Sequence, residues 1–249
     1  MRKIYTFPTL ELLIRHAADS FINRGIEAIQ QKGSFSVALS GGSTPLPLYQ
    51  ILAHDPHANS IDWNKIHFFW GDERSVSPTH TDSNFGQANQ SLLQPREVPI
   101  ENVHRIHGEL DPATSASKYQ EEILSWFKGS NPRFDLILLG LGADGHTASL
   151  FPGTAAVQTT RSPGESWVTA NWVPLLDTWR ITFTPRLINQ ASQVMFLVSG
   201  ENKADPLHHI LEGIFNPDKY PAQLINPSSG ELVWFIDHQA GTQLSSGLV

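Results

Sequence analysis

Two residues with the chemistry of a general base and its partner lie close together in this sequence. Asp144 and His146 flank Gly145 in the glycine-rich segment GLGADGH, residues 140–146. If this segment is extended, both side chains face the same side, since residues two apart do so in an extended chain. A histidine can accept a proton near neutral pH, and a neighbouring carboxylate can fix its tautomer. We therefore predict His146 as a candidate base that Asp144 orients.

A charged cluster, Asp72-Glu73-Arg74, follows the apolar run Ile66–Trp70. Only 16% of the residues are charged, so three charges together at the end of a predicted strand favour a functional role. The alternative interpretation is a solvated turn with local ion pairs. Asp72 and Arg74 are the candidate site residues of this cluster.

A glycine-rich loop stands between the apolar run Phe35–Leu39 and a helical pattern. Its candidate binding residues are Ser40, Gly41, Gly42 and Ser43. Glycines let the backbone approach a ligand, and free N–H groups at a helix start favour an anion. No Gly-Lys-Ser/Thr follows, which argues against a nucleoside triphosphate. On this segment alone, a phosphate-binding loop and an ordinary capped turn both stay open.

Two cations stand at predicted helix starts. Lys203 lies in the first turn of a helix predicted from about Glu201 to Ile214, and Arg186 follows Pro185. A cation at this position opposes the helix dipole unless an anion lies nearby. Both residues are therefore predicted partners of a phosphate group, against the alternative of ordinary surface cations.

Apolar runs and helical patterns alternate along the chain. The strand candidates are Phe35–Leu39, Ile66–Trp70, Val103–Ile106, Phe134–Leu139, Trp167–Val173, Arg180–Thr184, Gln193–Val198 and Leu232–Ile236. The helical patterns cover about Thr9–Gln31, Leu46–Leu52, Asn84–Leu93 and Glu201–Ile214. This alternation predicts an α/β fold in one domain, residues 1–249, with a mainly parallel sheet covered on both faces and antiparallel strands allowed at its edge. Ligands bind such sheets beyond the carboxyl ends of the strands, where all the candidate residues lie.

Composition argues against several classes of protein. The 249 residues carry a formal charge of −7 and no Lys/Arg run, which disfavours a nucleic-acid-binding surface. Without cysteine, the chain can form no disulfide, thiolate metal site or cysteine nucleophile. The amino-terminal residues lack a signal-peptide pattern, and no long apolar run predicts a membrane helix. We expect a soluble cytoplasmic protein.

Motifs for cofactor and metal binding are incomplete. The G-x-G-x-x-G pattern at 140–145 is followed by Pro152, too soon for the full helix of a dinucleotide-binding fold. Of the two His-x-x-His pairs, 54–57 is interrupted by a proline and 104–107 lacks the carboxylate motif of zinc proteases. We predict no metal and no organic cofactor.

Four stretches between about Val37 and Leu207 occur together in an order typical of a known family. They are VALSGGSTPLPLYQIL, FFWGDERSVSPTHTDSNFGQANQSLL, FDLILLGLGADGHTASLFPGT and RITFTPRLINQASQVMFLVSGENKADPL. Together they resemble the 6-phosphogluconolactonase family, and GxGxDGHxASLFPG is the most specific element. The family is part of a wider group that includes glucosamine-6-phosphate deaminase. The resemblance implies a doubly wound, Rossmann-like α/β fold.

The resemblance also implies a reaction and roles for the site residues. His146 matches the general base, Asp144 its motif neighbour, Arg74 a residue that polarises the substrate or stabilises the oxyanion, and Asp72 a site carboxylate. The positions that match the surroundings of the phosphate are Ser40, Gly41, Gly42, Ser43, Arg186 and Lys203. The implied reaction is hydrolysis of 6-phospho-D-glucono-1,5-lactone, a small sugar-phosphate lactone, by a monomer or small homo-oligomer.

Two alternative functions remain. The deaminases of the wider group carry a glutamate five residues after the motif histidine, where this chain has Phe151, and the loss of that carboxylate favours lactone hydrolysis. A regulatory module that binds a sugar phosphate without catalysis is the other alternative. Asp144, His146 and Arg74 argue against it, but only a turnover measurement decides.

Overall fold

The computed structural model describes residues 2–129, 131–158 and 166–245. The strands are β1 (Arg2–Phe7), β2 (Phe35–Leu39), β3 (Ile66–Trp70), β4 (Asp72–Arg74), β5 (Leu136–Gly140), β6 (Val168–Val173), β7 (Thr178–Phe183), β8 (Gln193–Val198) and β9 (Glu231–Asp237). The α-helices are α1 (Leu10–Lys32), α2 (Pro45–His54), α3 (Asn84–Ala88), α4 (Pro112–Trp126), α5 (Ala155–Gln158), α6 (Pro185–Ile188) and α7 (Ala204–Leu211).

Six strands form a parallel sheet in the order β1-β9-β8-β5-β2-β3. Its central strands are apolar throughout, as expected of strands covered on both faces: β2 and β8 contain no exposed residue. The remaining strands form a separate antiparallel sheet, β4-β7-β6. The predicted α/β fold with a mainly parallel sheet is confirmed, and the antiparallel strands form a second sheet instead of an edge of the first.

Local signals in the sequence set the first helix. The Thr9 side chain caps α1 by accepting a hydrogen bond from the Leu12 N–H, and Gly33 ends it with a φ of 83°. Its buried stripe includes Leu13, Ala17 and Phe21, which pack in the main core. The periodic pattern therefore predicted this element to within one residue at each end.

The order of the strands places a topological switch point at the centre of the sheet. From β2 the chain passes to β3 on one side, and later returns to β5 on the other side of β2. In open parallel sheets, a crevice forms at such a point beyond the carboxyl ends of the strands. The loops after β2, β5 and β8 meet there, so the sheet itself brings the predicted site segments together.

Several elements depart from the sequence-based predictions. Val103–Ile106 forms no strand, and only Val103 makes an isolated bridge to Phe68. The helix predicted over Asn84–Leu93 is α3 followed by a π-helical segment, Asn89–Leu93. Four elements were not predicted: the amino-terminal strand β1, the short strand β4, helix α4, and the short helix α5, which lies in the stretch predicted as a loop. The run Ile4–Phe7 consists of residue types that favour strands, a signal that the prediction overlooked, and parallel pairing with β9 forms β1.

Two further predictions concern a loop and the membrane. Part of the loop predicted between Pro152 and Ser166, residues 159–165, lies outside the described residues. Within the described ranges, no helix combines the length and apolar character needed to cross a membrane.

A histidine pair lies beneath α4, away from the loops of the switch point. His67 of β3 places Nδ1 3.1 Å from Nε2 of His104, whose own Nδ1 lies 2.9 Å from a Glu122 carboxylate oxygen. The Trp126 indole N–H donates to Nδ1 of His67 at 3.3 Å. Burial and the neighbouring His104 lower the pKa of His67, which favours its neutral form in the folded protein.

The imidazole of His67 binds a proton more readily in the unfolded chain than in the folded protein. We therefore expect the free energy of unfolding to decrease as the pH falls below about 6.5. The loss continues toward the lowered pKa of His67 and then levels off. In urea unfolding between about pH 7.5 and 5, His67→Asn should show a shallower decrease in the free energy of unfolding than the wild type. The exposed His54→Asn variant is the control, and equal slopes for wild type and His67→Asn would contradict the prediction.

Candidate active site

His146 and Asp144 form a hydrogen-bonded pair in the loop after β5. Nδ1 of His146 lies 2.5 Å from Oδ1 of Asp144, and the same oxygen accepts the His146 backbone N–H at 3.1 Å. Burial opposes ionisation of Asp144, but the hydrogen bond and charge of His146 outweigh it and lower the pKa of Asp144. A carboxylate on Nδ1 leaves Nε2 of the imidazole as the nitrogen that can exchange a proton with a ligand.

Two glycines make room for this pair. A Cβ at Gly142 would lie 2.0 Å from Nδ1 of His146 and 2.6 Å from Oδ1 of Asp144. Gly145, with a φ of 82°, turns the chain between the two residues, and a Cβ there would lie 2.7 Å from the Tyr220 ring. The glycines of the G-x-G-x-x-G pattern therefore make room for the Asp144–His146 pair, in keeping with the rejection of this pattern as a dinucleotide-binding motif.

An aromatic ring covers one face of the imidazole. The Phe151 ring stacks on His146 with centroids 4.0 Å apart and planes 22° apart. Phe151 is 8% exposed, so it shields that face of the imidazole from water. The position that carries a glutamate in the resembling deaminases thus holds a buried apolar ring against His146.

Asp72 connects the two sheets at the site. Its carboxylate accepts the Ser149 hydroxyl at 2.6 Å, and the Asn84 amide donates to its backbone oxygen at 2.8 Å and to Oδ1 at 3.3 Å. Ser149 belongs to the segment that follows His146. Asp72 therefore ties β4 to the loop that carries the histidine.

The neighbour Glu73 has a structural role. Its buried carboxylate accepts the backbone N–H groups of Arg74, Asn84 and Phe85, each at 2.8 Å, and the Ser83 hydroxyl at 3.0 Å. Burial raises the pKa of Glu73, and the N–H groups partly offset this. Glu73 thus fixes the start of α3 and the backbone of Arg74.

Arg74 and the glycine loop line one cavity of about 310 Å³ with His146. The site residues predicted from the sequence that line it are Ser40, Gly41, Gly42, Ser43, Asp72, Arg74, His146 and Lys203. Asp144 lies directly behind His146 through their hydrogen bond. The sequence-based expectation of a shared location is therefore met for these nine residues.

The glycine loop packs tightly against Asn84. A Cβ at Gly41 would lie 1.7 Å from Oδ1 of Asn84, and Gly42 adopts a φ of 101°. The backbone N–H of Ser40 donates to the Tyr49 hydroxyl at 3.1 Å, which fixes the loop to α2. Only glycine at position 41 allows this approach.

Lys203 provides a cation across the cavity from the loop. It lies in the 3₁₀ turn Glu201–Lys203, directly before α7. Burial lowers the pKa of Lys203, and the charge of Asp144 acts in the opposite direction. Ser199, which precedes this turn, and Asn202 within it also line the cavity, and neither was singled out as a site residue from the sequence. Hydroxyl and amide side chains carry no signal that separates them from ordinary caps.

Arg186 lies elsewhere. Its guanidinium carbon lies 3.9 Å from the centroid of the Trp167 ring, and the side chain is exposed on α6. It is not among the residues that line the described cavity. A cation stacked on an aromatic face explains its position without a phosphate.

A second arginine at the site was missed. Arg180 of β7 is the direct cross-strand partner of Arg74 in the antiparallel sheet. It belongs to the RITFTP stretch, but only the strand register reveals its neighbour. Within the described ranges, no group of three or more His, Cys, Asp or Glu side chains is arranged to hold a metal ion.

The fold and the cavity define an α/β protein whose site suits a small anionic ligand and a proton transfer. The model of the family described as glucosamine-6-phosphate isomerases/6-phosphogluconolactonase matches residues 8–234, and the chain belongs to this family.

Individual relatives span nearly the whole chain. A 6-phosphogluconolactonase from Nostoc sp. is 41% identical over 248 residues, covering 98% of this chain and 99% of the relative. One from Synechocystis sp. is 42% identical over 241 residues, covering 94% and 95%. The crystal structure of 6-phosphogluconolactonase from Thermotoga maritima superposes with a TM-score of 0.81 at 31% identity, covering 95% of this chain and 100% of that chain.

Gly142→Ala should separate His146 from Asp144, because the added methyl group occupies the space of both side chains. In ¹⁵N-edited NMR of the His146 ring, the hydrogen-bonded Nδ1 proton should be present in the wild type and absent in the variant. Gly140→Ala is the matched control, since a Cβ at Gly140 meets nothing within 4 Å. A Gly142→Ala spectrum identical to the wild type would contradict the prediction.

Proposed function

We propose that this chain is a 6-phosphogluconolactonase, an enzyme that hydrolyses 6-phospho-D-glucono-1,5-lactone to 6-phospho-D-gluconate. The observation that carries the proposal is one cavity that unites a carboxylate-bound histidine with a glycine loop and a lysine suited to a phosphate. The names of full-length relatives at about 40% identity support the same substrate. Water and protein groups are sufficient for the reaction.

His146 is the general base in this proposal. Nε2 takes a proton from water, the hydroxide adds to the lactone carbonyl carbon, and a tetrahedral oxyanion forms. The imidazolium then gives its proton to the ring oxygen as the carbon–oxygen bond breaks, and the resulting acid ionises to a carboxylate. Asp144 holds the imidazole by Nδ1 and stabilises its protonated form.

Arg74 stabilises the developing charge on the carbonyl oxygen. Arg74 lines the cavity and carries its charge before the substrate arrives, so little reorganisation accompanies the reaction. Asp72 orders the site by holding Ser149 and Asn84. We therefore assign Asp72 a supporting role, as a site carboxylate next to the end of the cavity where the lactone reacts.

The phosphate of the substrate lies, in our proposal, between the glycine loop and Lys203. The loop offers backbone N–H groups and the Ser40 and Ser43 hydroxyls at the start of α2, and Lys203 adds a half-buried cation. Arg186 has no place in this arrangement, because its guanidinium lies on Trp167.

The buried Phe151 ring favours lactone hydrolysis over the deaminase alternative. Ring opening and isomerisation of an amino sugar need an additional acid near the base, and the stacked ring occupies that side of His146. A non-catalytic regulator has no use for the Asp144–His146 pair beside the cavity. A single domain, a cytoplasmic location and a monomer or small homo-oligomer remain predictions.

A coupled assay distinguishes these functions. Glucose-6-phosphate dehydrogenase generates the lactone in situ, and 6-phosphogluconate dehydrogenase reports its hydrolysis above the spontaneous rate. In a parallel assay, ammonia release from glucosamine 6-phosphate reports the deaminase. Accelerated hydrolysis without ammonia release supports the proposal; ammonia release supports the deaminase, and no turnover in either assay supports the regulator.

Replacing the base should remove most of the catalysis. His146→Ala should lower kcat for lactone hydrolysis by about 10²- to 10⁴-fold, because no group remains to take the proton from water. The far-ultraviolet circular dichroism and the unfolding midpoint should stay close to the wild type. His238→Ala, at an exposed histidine, serves as the control. A folded His146→Ala variant with full turnover would refute the base assignment.

Removing the cation at the phosphate end should weaken binding more than chemistry. Lys203→Ala should raise KM for the lactone by about 10- to 100-fold with a smaller effect on kcat, because a charge-assisted hydrogen bond to the phosphate is lost. Lys65→Ala, at an exposed lysine paired with Asp62, should leave both constants unchanged. An unchanged KM in Lys203→Ala would exclude the phosphate role.

A further inference from the structure

The register of the small sheet places two arginines side by side at the site. Asp72 pairs with Thr182 and Arg74 with Arg180 across β4 and β7. Directly opposed residues in antiparallel strands point to the same face of the sheet. Arg180 therefore shares the face that presents Asp72 and Arg74 to the cavity.

Neither guanidinium has a carboxylate partner among the described residues. The lysine and arginine residues that form ion pairs within 4.0 Å in the described ranges are Lys3, Arg15, Arg24, Lys32, Lys65 and Arg105. Nη1 of Arg74 donates to the backbone oxygen of Asp82 at 2.5 Å, and Nε of Arg74 and of Arg180 is buried without a hydrogen-bond partner. Two neighbouring cations thus lack direct compensation.

Such an arrangement is unfavourable without an anion. Burial lowers the pKa of Arg180, and the charge of Arg74 lowers it further, while the carboxylates of Asp72, Glu73 and Asp82 act more weakly in the opposite direction. Glu73 is fully engaged by backbone N–H groups and the Ser83 hydroxyl. Two guanidinium groups thus lie side by side where β4 meets β7, and none of these three carboxylates forms an ion pair within 4.0 Å with either of them.

We propose that Arg180 is a positioning residue for the lactonase reaction. Arg180 keeps the Arg74 guanidinium turned into the cavity, and it strengthens the positive potential at the end of the substrate where the carboxylate forms. Like-charge repulsion pushes Arg74 away from Arg180, and β7 fixes Arg180 behind it. Arg180 itself is not among the residues that line the described cavity, so it acts through Arg74. This inference rests on the proposed function.

The arrangement divides the two anionic groups of the product between two ends of the site. The phosphate lies with the glycine loop and Lys203, and the carboxylate, which follows the oxyanion on the same carbon, lies with Arg74. Arg180 should therefore matter for ligands that carry the carboxylate and have little effect on ligands that carry only the phosphate. If Arg180 had only a structural role, its substitution would weaken the binding of both classes of ligand equally.

Arg180→Gln tests this selectivity. Isothermal titration calorimetry of the full-length protein gives its affinities for two ligands. 6-Phosphogluconate carries both the phosphate and the carboxylate, and glucose 6-phosphate carries the phosphate alone. We expect the variant to bind 6-phosphogluconate about tenfold more weakly and glucose 6-phosphate within twofold of the wild type, and to lower kcat. Arg180→Lys, which keeps the charge, should restore most of the lost affinity and turnover. Arg15→Gln, on the exposed face of α1, is the matched control.

Other results would overturn the inference. If Arg180→Gln weakens the binding of both ligands equally, Arg180 contacts the phosphate or stabilises the fold. If both affinities and kcat are unchanged, Arg180 has no role in the site. If Arg180→Gln does not fold, a folded Arg180→Lys variant that loses affinity for both ligands alike also contradicts the proposal. Failure of the proposed function is distinct, because it appears in the wild type as absent lactone turnover before any variant is compared.

Discussion

The site depends on the parallel hydrogen bonding of β2, β5 and β8. Because all three strands run in one direction, their carboxyl ends meet at one edge, and the loops after them converge although they are far apart in sequence. Gly71, between β3 and β4, connects the second sheet to the first: its N–H donates to the Leu39 carbonyl of β2 at 2.9 Å, and its carbonyl accepts the Phe183 N–H of β7 at 2.8 Å. This contact brings the cations of β4 and β7 to the same edge.

The charges of the molecule are distributed unevenly as a result. The chain carries a net charge of −7, yet Arg74 and Lys203 line one cavity and Arg180 is the cross-strand neighbour of Arg74. An anion is attracted by the local potential, and the net charge has little influence at such short range. Half-burial of these cations strengthens the effect, since less water screens them.

Most of the fold and of the site followed from local patterns in the sequence. Strands β2, β3 and β8 were predicted with their observed bounds, because buried central strands are continuous apolar runs ended by turns. Strand β1 was missed although Ile4–Phe7 carries a local strand signal. Arg180 lay in a predicted strand, but its neighbour Arg74 follows from the register of β4 and β7, which no local pattern reports. For Arg186, the sequence correctly predicted a position at the start of a helix. Its contact with the Trp167 ring could be seen only in the structure.

The contact between Gly41 and Asn84 joins the two ends of the site mechanically. Asn84 fills the volume that a side chain at position 41 would take, and its amide holds Asp72. The glycine loop thus cannot shift toward α3 without displacing Asn84, and Asn84 cannot move without releasing Asp72. In the proposed binding mode, this rigid spacer fixes the distance between the phosphate and the reacting carbon, so the site selects its ligand by length as well as by charge.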